Sequence, residues 1–373
     1  MTPLGLYLHI PFCEIKCGYC DFYSVTNGRG DARAEYVAAL LEEIRAKGDG
    51  RPADTVFLGG GTPSLLDPAQ VAVILNALRA AWVLAPDAEI TLEANPETVT
   101  EEKLRGFREA GANRISFGVQ SLDDAQLKAL GRIHSADRAR RAIEEARRAG
   151  FARINADLIF GLPGHTLDRW RRDLGEVLAW PVDHVSAYEL SIEDDTAFGR
   201  RPPTLPGEEA VATMWEAAMD DAAAAGFAHY EVSNYARPGA ECRHNLKYWL
   251  DTDWVGLGAS AWGLAAGVRY GNPRSLAKYY AGRMTGFPPE KTDELPRDGQ
   301  MAETLVLNLR LRAGCETAGF EARYGPGSLN RFAPVLAPHE EAGRVERHAG
   351  RLALTRAGLM VANSIWGDVY SAG

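Results

Sequence analysis

The chain has 373 residues, 46% hydrophobic and 24% charged, a composition that excludes a disordered or fibrous polymer and leaves room for one large domain and a small one. A net charge of -9 argues against broad electrostatic binding of nucleic acid. The start, MTPLGLYLHIPFC, lacks the basic region of a signal peptide, and no later run approaches the roughly 18 apolar residues that span a bilayer. A cytoplasmic location is therefore expected, where five unevenly spread cysteines point to metal or catalytic use over a disulfide framework.

Short apolar runs alternate with amphipathic helices from the start. The runs are GLYLHI (5–10), DTVFLG (54–59), AEITLEA (88–94), NRISFGV (113–119), RINADLIF (153–160) and DHVSAYEL (183–190). Between the first two, Val37, Leu40, Leu41 and Ile44 form one stripe at helical spacing, so a helix with one buried face is predicted. The phrases EAGANRI, RAGFARI and AAGFAHY put Gly111, Gly150 and Gly226 where a helix C-terminus takes a left-handed residue before a strand begins. Their spacing is about one and two lengths of a strand–helix module, and repeated units of that kind wind into a parallel sheet covered by helices. Runs of arginine and glutamate such as RARRAIEEARRAG (138–150) read as solvated helix faces.

Nearly every strand ends in something polar or glycine-rich: HIPFC, GGGTPS, EANP, GVQS, DLIFGLPG and ELSIED. A barrel carries its chemistry on the C-terminal rim, whereas an open sheet concentrates it at one switch point. The expected fold is thus an α/β, incomplete (β/α)6 TIM-like barrel over residues 1–226. An aromatic, irregular extension and a proline-bearing linker (286–300) are expected over 227–299. A small α+β, winged-helix-like domain is expected over 300–373, without an obvious recognition helix for DNA.

The segment HIPFCEIKCGYCDFYS places Cys13, Cys17 and Cys20 directly after the first strand. A structural zinc site normally closes with four ligands, and a ferredoxin cluster needs a fourth cysteine. The third option is a 4Fe-4S cluster held by three thiolates, with one iron left for a ligand. His9 is open as a fourth ligand or as a packed strand residue.

C-x3-C-x2-C with an aromatic before the last cysteine, at the end of the first strand of a βα series, resembles the radical S-adenosylmethionine (SAM) superfamily. The resemblance implies a cluster on Cys13, Cys17 and Cys20 whose open iron chelates the methionine amino and carboxylate groups of SAM. It also implies SAM contacts from Tyr7, from Gly60, Gly61 and Thr62 in GGGTPS, and from Glu93, Gln120, Arg132 and Asp157 in LEANP, GVQS, GRIHS and NADLIFG.

LHIPFC, GGGTPS, EANPE, GVQS and DLIFGLPGHT together are similar to the HemN/HemW branch of that superfamily, which holds a porphyrin-decarboxylating enzyme and haem chaperones. The decarboxylating members carry a further cysteine two residues after the triplet, where this sequence has Asp21 and then Phe22. RHNLKYW matches the haem-binding motif of the chaperones at His244, Asn245, Tyr248 and Trp249, with Cys242 as a competing thiolate. The pair Glu189 and Glu193 is open to acid–base work or to plain site polarity. The resemblance implies a haem chaperone with a 4Fe-4S cluster and SAM, serving respiratory apoproteins at the inner membrane, with cluster-dependent dimerisation. The alternatives are an oxygen-independent coproporphyrinogen III dehydrogenase and, further off, a methyltransferase or ring-opening haem enzyme.

Overall fold

The computed structural model describes residues 2–26 and 30–373. Strands β1 (Leu4–Ile10), β2 (Pro52–Gly60), β3 (Val83–Ala94), β4 (Arg114–Gln120), β5 (Arg153–Phe160) and β6 (His184–Glu189) pair in sequence order, all parallel. Each crossover carries a helix: Gly30–Lys47, Pro68–Ala81, Glu101–Ala110, Ala136–Arg148 and Leu167–Leu178 among them. The local signals explain the boundaries. Thr100 accepts from the Lys103 amide to start Glu101–Ala110, and Gly111, at φ 117°, ends it. Gly150 and Gly226 also adopt positive φ.

Only two of these three glycines lead into parallel strands. After Gly226 the chain forms a hairpin, β7 (Ala228–Glu231) and β8 (Asn234–Ala236), and β8 lies antiparallel to β6. The repeated phrase reports how a helix stops, and that says nothing of the next strand's direction. At the other edge β9 (Trp254–Leu257) pairs parallel with β1, followed by antiparallel β10 (Trp262–Ala265), β11 (Val268–Gly271) and β12 (Lys291–Glu294). Among the described residues one twelve-stranded sheet results, running from β12 through β9, β1 and β6 to β7, with its ends unpaired. The incomplete barrel is the β1–β6 part of it. Residues 227–299, expected as an extension and linker, are instead built into this sheet at both edges. β12 falls inside the expected linker because KTDE is an exposed edge strand, polar on both faces, and gives no hydrophobic period to find.

Alternation along the parallel strands sorts the side chains. Leu6, Leu8, Val56, Leu58, Leu92, Ile115, Phe117, Ile154, Ala156 and Val185 belong to the main buried core. The intervening positions, Thr55, Glu93, Arg114, Ser116, Asn155, Asp157, His184 and Ser186, are polar and turn to the barrel interior. That interior is closed at its N-terminal end by the helix Arg243–Trp249. Glu89 of β3, itself buried, accepts from the Arg243 amide at 3.2 Å and the His244 amide at 3.1 Å, satisfying two of the helix's orphan donors. Lys247 pairs with Asp54 at 2.6 Å and donates to the Pro3 carbonyl at 2.8 Å, tying the same helix to the starts of β2 and β1.

The last 77 residues in sequence add helix Arg297–Leu309, β13 (Cys315–Glu316), helices Thr317–Tyr324 and Ala333–Glu341, and the hairpin β14 (Val345–His348) and β15 (Arg351–Leu354) in a sheet ordered β13-β15-β14. This is a winged-helix-like arrangement. Helix Ala333–Glu341 reads APVLAPHEE, with no lysine or arginine to meet a phosphate backbone. Arg310 stacks between the Trp249 and Trp366 rings, 4.5 and 4.7 Å from their centroids, which docks this unit against the end of the floor helix.

Replacing Glu89 by alanine leaves two buried amides without an acceptor. We expect a loss of about 2–4 kcal/mol in urea unfolding and faster amide exchange over 243–249. Unchanged stability and exchange would show that the floor helix does not depend on this carboxylate.

Candidate functional site

The cysteine loop leaves the C-terminal end of β1 and is held by backbone bonds on three sides. The Cys13 amide donates to the Val25 carbonyl at 3.1 Å, the Gly18 amide to the Leu130 carbonyl at 3.0 Å, and the Phe198 amide to the Gly18 carbonyl at 2.9 Å. The GGGTPS turn abuts it directly: the Gly61 amide donates to the Ile10 carbonyl at 2.9 Å. A Cβ at Gly61 would lie 2.6 Å from the Phe12 carbonyl oxygen, so two backbones meet there and only glycine fits. Thr62 directs its hydroxyl to Cys13 Sγ at 3.5 Å, and Arg132 its Nη1 to Cys17 Sγ at 3.6 Å. Arg132 is itself fixed by Asn95 Oδ1 at 2.6 Å and the Gly118 carbonyl at 2.9 Å.

These groups open onto a cavity of about 500 Å³ that runs down the barrel interior. Cys13, Cys17 and Cys20 line its mouth together with Ile15 and Phe22. Gly60, Gly61, Thr62, Glu93, Gln120, Arg132 and Asp157 line its wall, so seven of the eight SAM candidates meet the three cysteines in one space. Tyr7 stands behind the wall, its hydroxyl 3.1 Å from His9 Nδ1, and His9 Nε2 lies 2.8 Å from the Tyr23 carbonyl oxygen. His9 is thereby a packed strand residue with both nitrogens engaged, not a cluster ligand in this arrangement. Glu189 and Glu193 also border the cavity, and burial raises the Glu189 carboxyl.

The donor set suits a cluster held at three corners. Among the described residues no three ligating side chains converge on a single ion, whereas the three half-buried thiols surround the mouth with a guanidinium and a hydroxyl directed at sulfur. Burial pushes the Cys13 thiol up and the Cys20 thiol up to about 11, so bound iron is what would draw these groups into thiolate form. The wall suits a cationic, hydroxyl-bearing ligand. Burial, and then the neighbouring Asp157, push Glu93 up to about 8, and burial raises Asp157 as well. Neither is ion-paired among the described residues: Glu93 accepts from the Gly60 amide, and Asp157 from Ser116 and Asn155.

The HNxxYW quartet is not gathered on one surface. Asn245 alone lines the cavity. His244 is fully buried, its Nδ1 2.8 Å from Thr55 Oγ1 and its Nε2 2.9 Å from the Tyr248 hydroxyl, with the Phe57 ring stacked on it at 5.3 Å. Burial, then Lys247 and Arg114, push its imidazole down to about 3. Trp249 is occupied with Arg310. Cys242 is buried against Glu89 Oε1 at 3.6 Å. In this conformation the motif offers iron no free imidazole nitrogen.

The polar inner wall went unrecognised in the sequence. Arg114, Ser116, Asn155 and Ser186 all line the cavity, and Asn95 holds Arg132 beside it. A signal was present: RISFGVQ and RINADLIF alternate polar with apolar at period two, so a parallel strand expected to be apolar on both faces carries polar groups on one.

Two outcomes follow from the buried charges. SAM binding should strengthen with pH below 8, by up to tenfold per unit, as Glu93 gives up its proton to meet the cation, and should level off above that. Glu93→Gln should flatten the profile in equilibrium dialysis; an unaltered profile would assign the titration elsewhere. His244 is lowered in the folded state, so its stabilisation is complete above the unfolded value near 6.5 and is lost as pH falls toward about 3. His244→Gln should make the acid limb of stability shallower by about 1.4 kcal/mol per pH unit between those values; parallel limbs would mean the ring is not held neutral.

Comparison with known proteins agrees with this geometry. Residues 7–177 match the model of the radical SAM superfamily, and residues 295–361 that of the HemN C-terminal domain. Over 97% of its length the chain is 40% identical to a protein of Mycobacterium tuberculosis named heme chaperone HemW, covering 94% of that relative. It is 36% identical to the Bacillus subtilis protein of the same name, over 97% of both chains, and 44% identical to the Escherichia coli one, over 70% of both. Among solved structures, coproporphyrinogen III oxidase (HemN) from Escherichia coli superposes with a TM-score of 0.87 at 24% identity, over 99% of this chain and 90% of that one, a likeness of fold. The chain belongs to the HemN/HemW branch of the radical SAM superfamily and is closely related to the HemW haem chaperones.

Proposed function

We propose that this protein is a haem chaperone: it holds a 4Fe-4S cluster on Cys13, Cys17 and Cys20 and SAM against the barrel wall, takes up haem, and passes it to haem-requiring apoproteins. The observation that carries this is the end-to-end identity to proteins named heme chaperones, extending through the HNxxYW segment and the C-terminal unit. Phe22 adds support. The decarboxylating relatives carry a cysteine there, and here the position is an aromatic, 64% exposed at the cavity mouth beside Ile15, an apolar rim of the kind that receives a flat hydrophobic ring.

The chain's own residues have separable roles in this reading. Gly60 and Gly61 bring backbone close to the ligand, Glu93 and Asp157 meet its cationic and hydroxyl groups, and Arg132 donates to sulfur at the cluster. When bound, the cluster supplies an electron to the SAM sulfonium. His244 and Tyr248 are the haem-contact candidates of the motif; for the imidazole to reach iron, Nε2 must leave the Tyr248 hydroxyl. No helix among the described residues is long and apolar enough to cross a membrane, so meeting membrane-bound respiratory recipients would be peripheral. Homodimer formation belongs to the same proposal.

Anaerobically reconstituted, reduced protein given SAM and coproporphyrinogen III should yield no vinyl product, while haem titration should show saturable uptake. Vinyl product would make it the dehydrogenase instead, and other modified porphyrins a methyltransferase or ring-opening enzyme. His244→Ala should lower haem affinity or shift the haem absorption bands with iron content unchanged; unaltered spectrum and affinity would turn attention to Cys242.

A further inference from the structure

Two arginines line the cavity, and they are treated differently. Arg132, at the mouth, is bonded to Asn95, Gly118 and Cys17. Arg114, at the first position of β4, is only 2% exposed and faces the deep end, yet its guanidinium makes no hydrogen bond or ion pair with any described residue. The acids around it are committed elsewhere. Glu89 accepts from the Arg243 and His244 amides and the Cys242 thiol. Asp157 accepts from Ser116 at 3.1 Å and Asn155 at 2.7 Å. These groups lie close enough to favour the charge on the guanidinium, yet none takes its donors, which leaves the fork open to the cavity.

We propose that Arg114, with the Asn245 amide of the floor helix, forms a carboxylate-binding floor at the deep end of the barrel, separate from the SAM-chelating mouth. A carboxylate matches the guanidinium fork with two parallel bonds and brings one negative charge; a phosphate would bring nearly two against Asp157 and Glu93. The floor lies four residues of β4 below Gly118, where Arg132 is anchored, or about 13 Å at the usual rise of a strand. The methionine carboxylate of SAM is expected at the cluster, so the floor serves the carboxylate arm of a second ligand. Under the chaperone reading, on which this choice of ligand rests, that arm is a haem propionate.

The test compares two pairs of ligands in the reconstituted protein: haem with its dimethyl ester, and SAM with decarboxylated SAM. The wild type should bind haem roughly 10- to 100-fold more tightly than the diester. Arg114→Gln should erase that preference while leaving the SAM pair as in the wild type, and Arg114→Lys should retain part of it. If the variant erases the SAM preference instead, the floor holds the SAM carboxylate. The carboxylate floor is overturned if Arg114→Gln leaves both preferences intact, or, whatever the variants do, if neither esterification nor decarboxylation weakens wild-type binding. Failure of the wild type to take up haem at all would sink the chaperone reading, with the SAM pair still deciding the floor.

Discussion

The contact between the cysteine loop and the GGGTPS turn governs the rest of the site. Gly61 donates its amide to Ile10, with no room for a side chain against Phe12, and this fixes the end of β1 against the end of β2. From that junction Thr62 turns toward Cys13, and Gly60 gives its amide to Glu93 at 3.1 Å. One close backbone approach therefore registers the sulfur ligands, the glycine turn and the first wall carboxylate relative to one another. A side chain at position 61 would separate them.

The barrel has two ends of different construction. The mouth is built from loops pinned by backbone bonds, and its Cys13 and Cys20 thiols are raised by burial. The floor is a short helix seated on one carboxylate and two strand starts, and the HNxxYW motif lies on it. Between them Glu93, Asp157 and Arg114 line the inner wall with no hydrogen bond or ion pair among them in the described residues. Such an interior lowers the stability of the empty protein and is offset when a ligand with complementary charges enters. The same burial that silences His244 ties the motif to the state of the floor: Nδ1 fastens the helix to β2 through Thr55, while Nε2 is taken up within the helix by Tyr248.

Much of this was legible in the sequence. The helix stripe at Val37, Leu40, Leu41 and Ile44, the left-handed glycines at 111 and 150, and the polar strand ends defined the parallel βα series and its rim, because each is a local signal with a local cause. The three cysteines and most of the wall residues fell together because they sit at or near successive strand ends, whereas Arg132 follows helix Asp124–Leu130 and reaches the wall through Asn95 and Gly118. The strand pairings after residue 226 were not legible: β9 joins β1 across the whole βα series in sequence, and nothing local marks that partner. Arg114 escaped for a related reason, since its importance lies in what it does not touch. His244 was visible as a motif, but the strands that bury it, at Thr55 and Gly5, are far away in the chain.

The central claim is a cluster held by three thiolates at the mouth, with one iron left for SAM. Mössbauer spectroscopy of 57Fe-reconstituted protein, with and without SAM, tests it most directly. The account predicts about four irons and four sulfides per chain, with one iron subsite changing its isomer shift when SAM is added. Tightly held zinc in place of iron and sulfide, or an iron spectrum that ignores SAM, would contradict it.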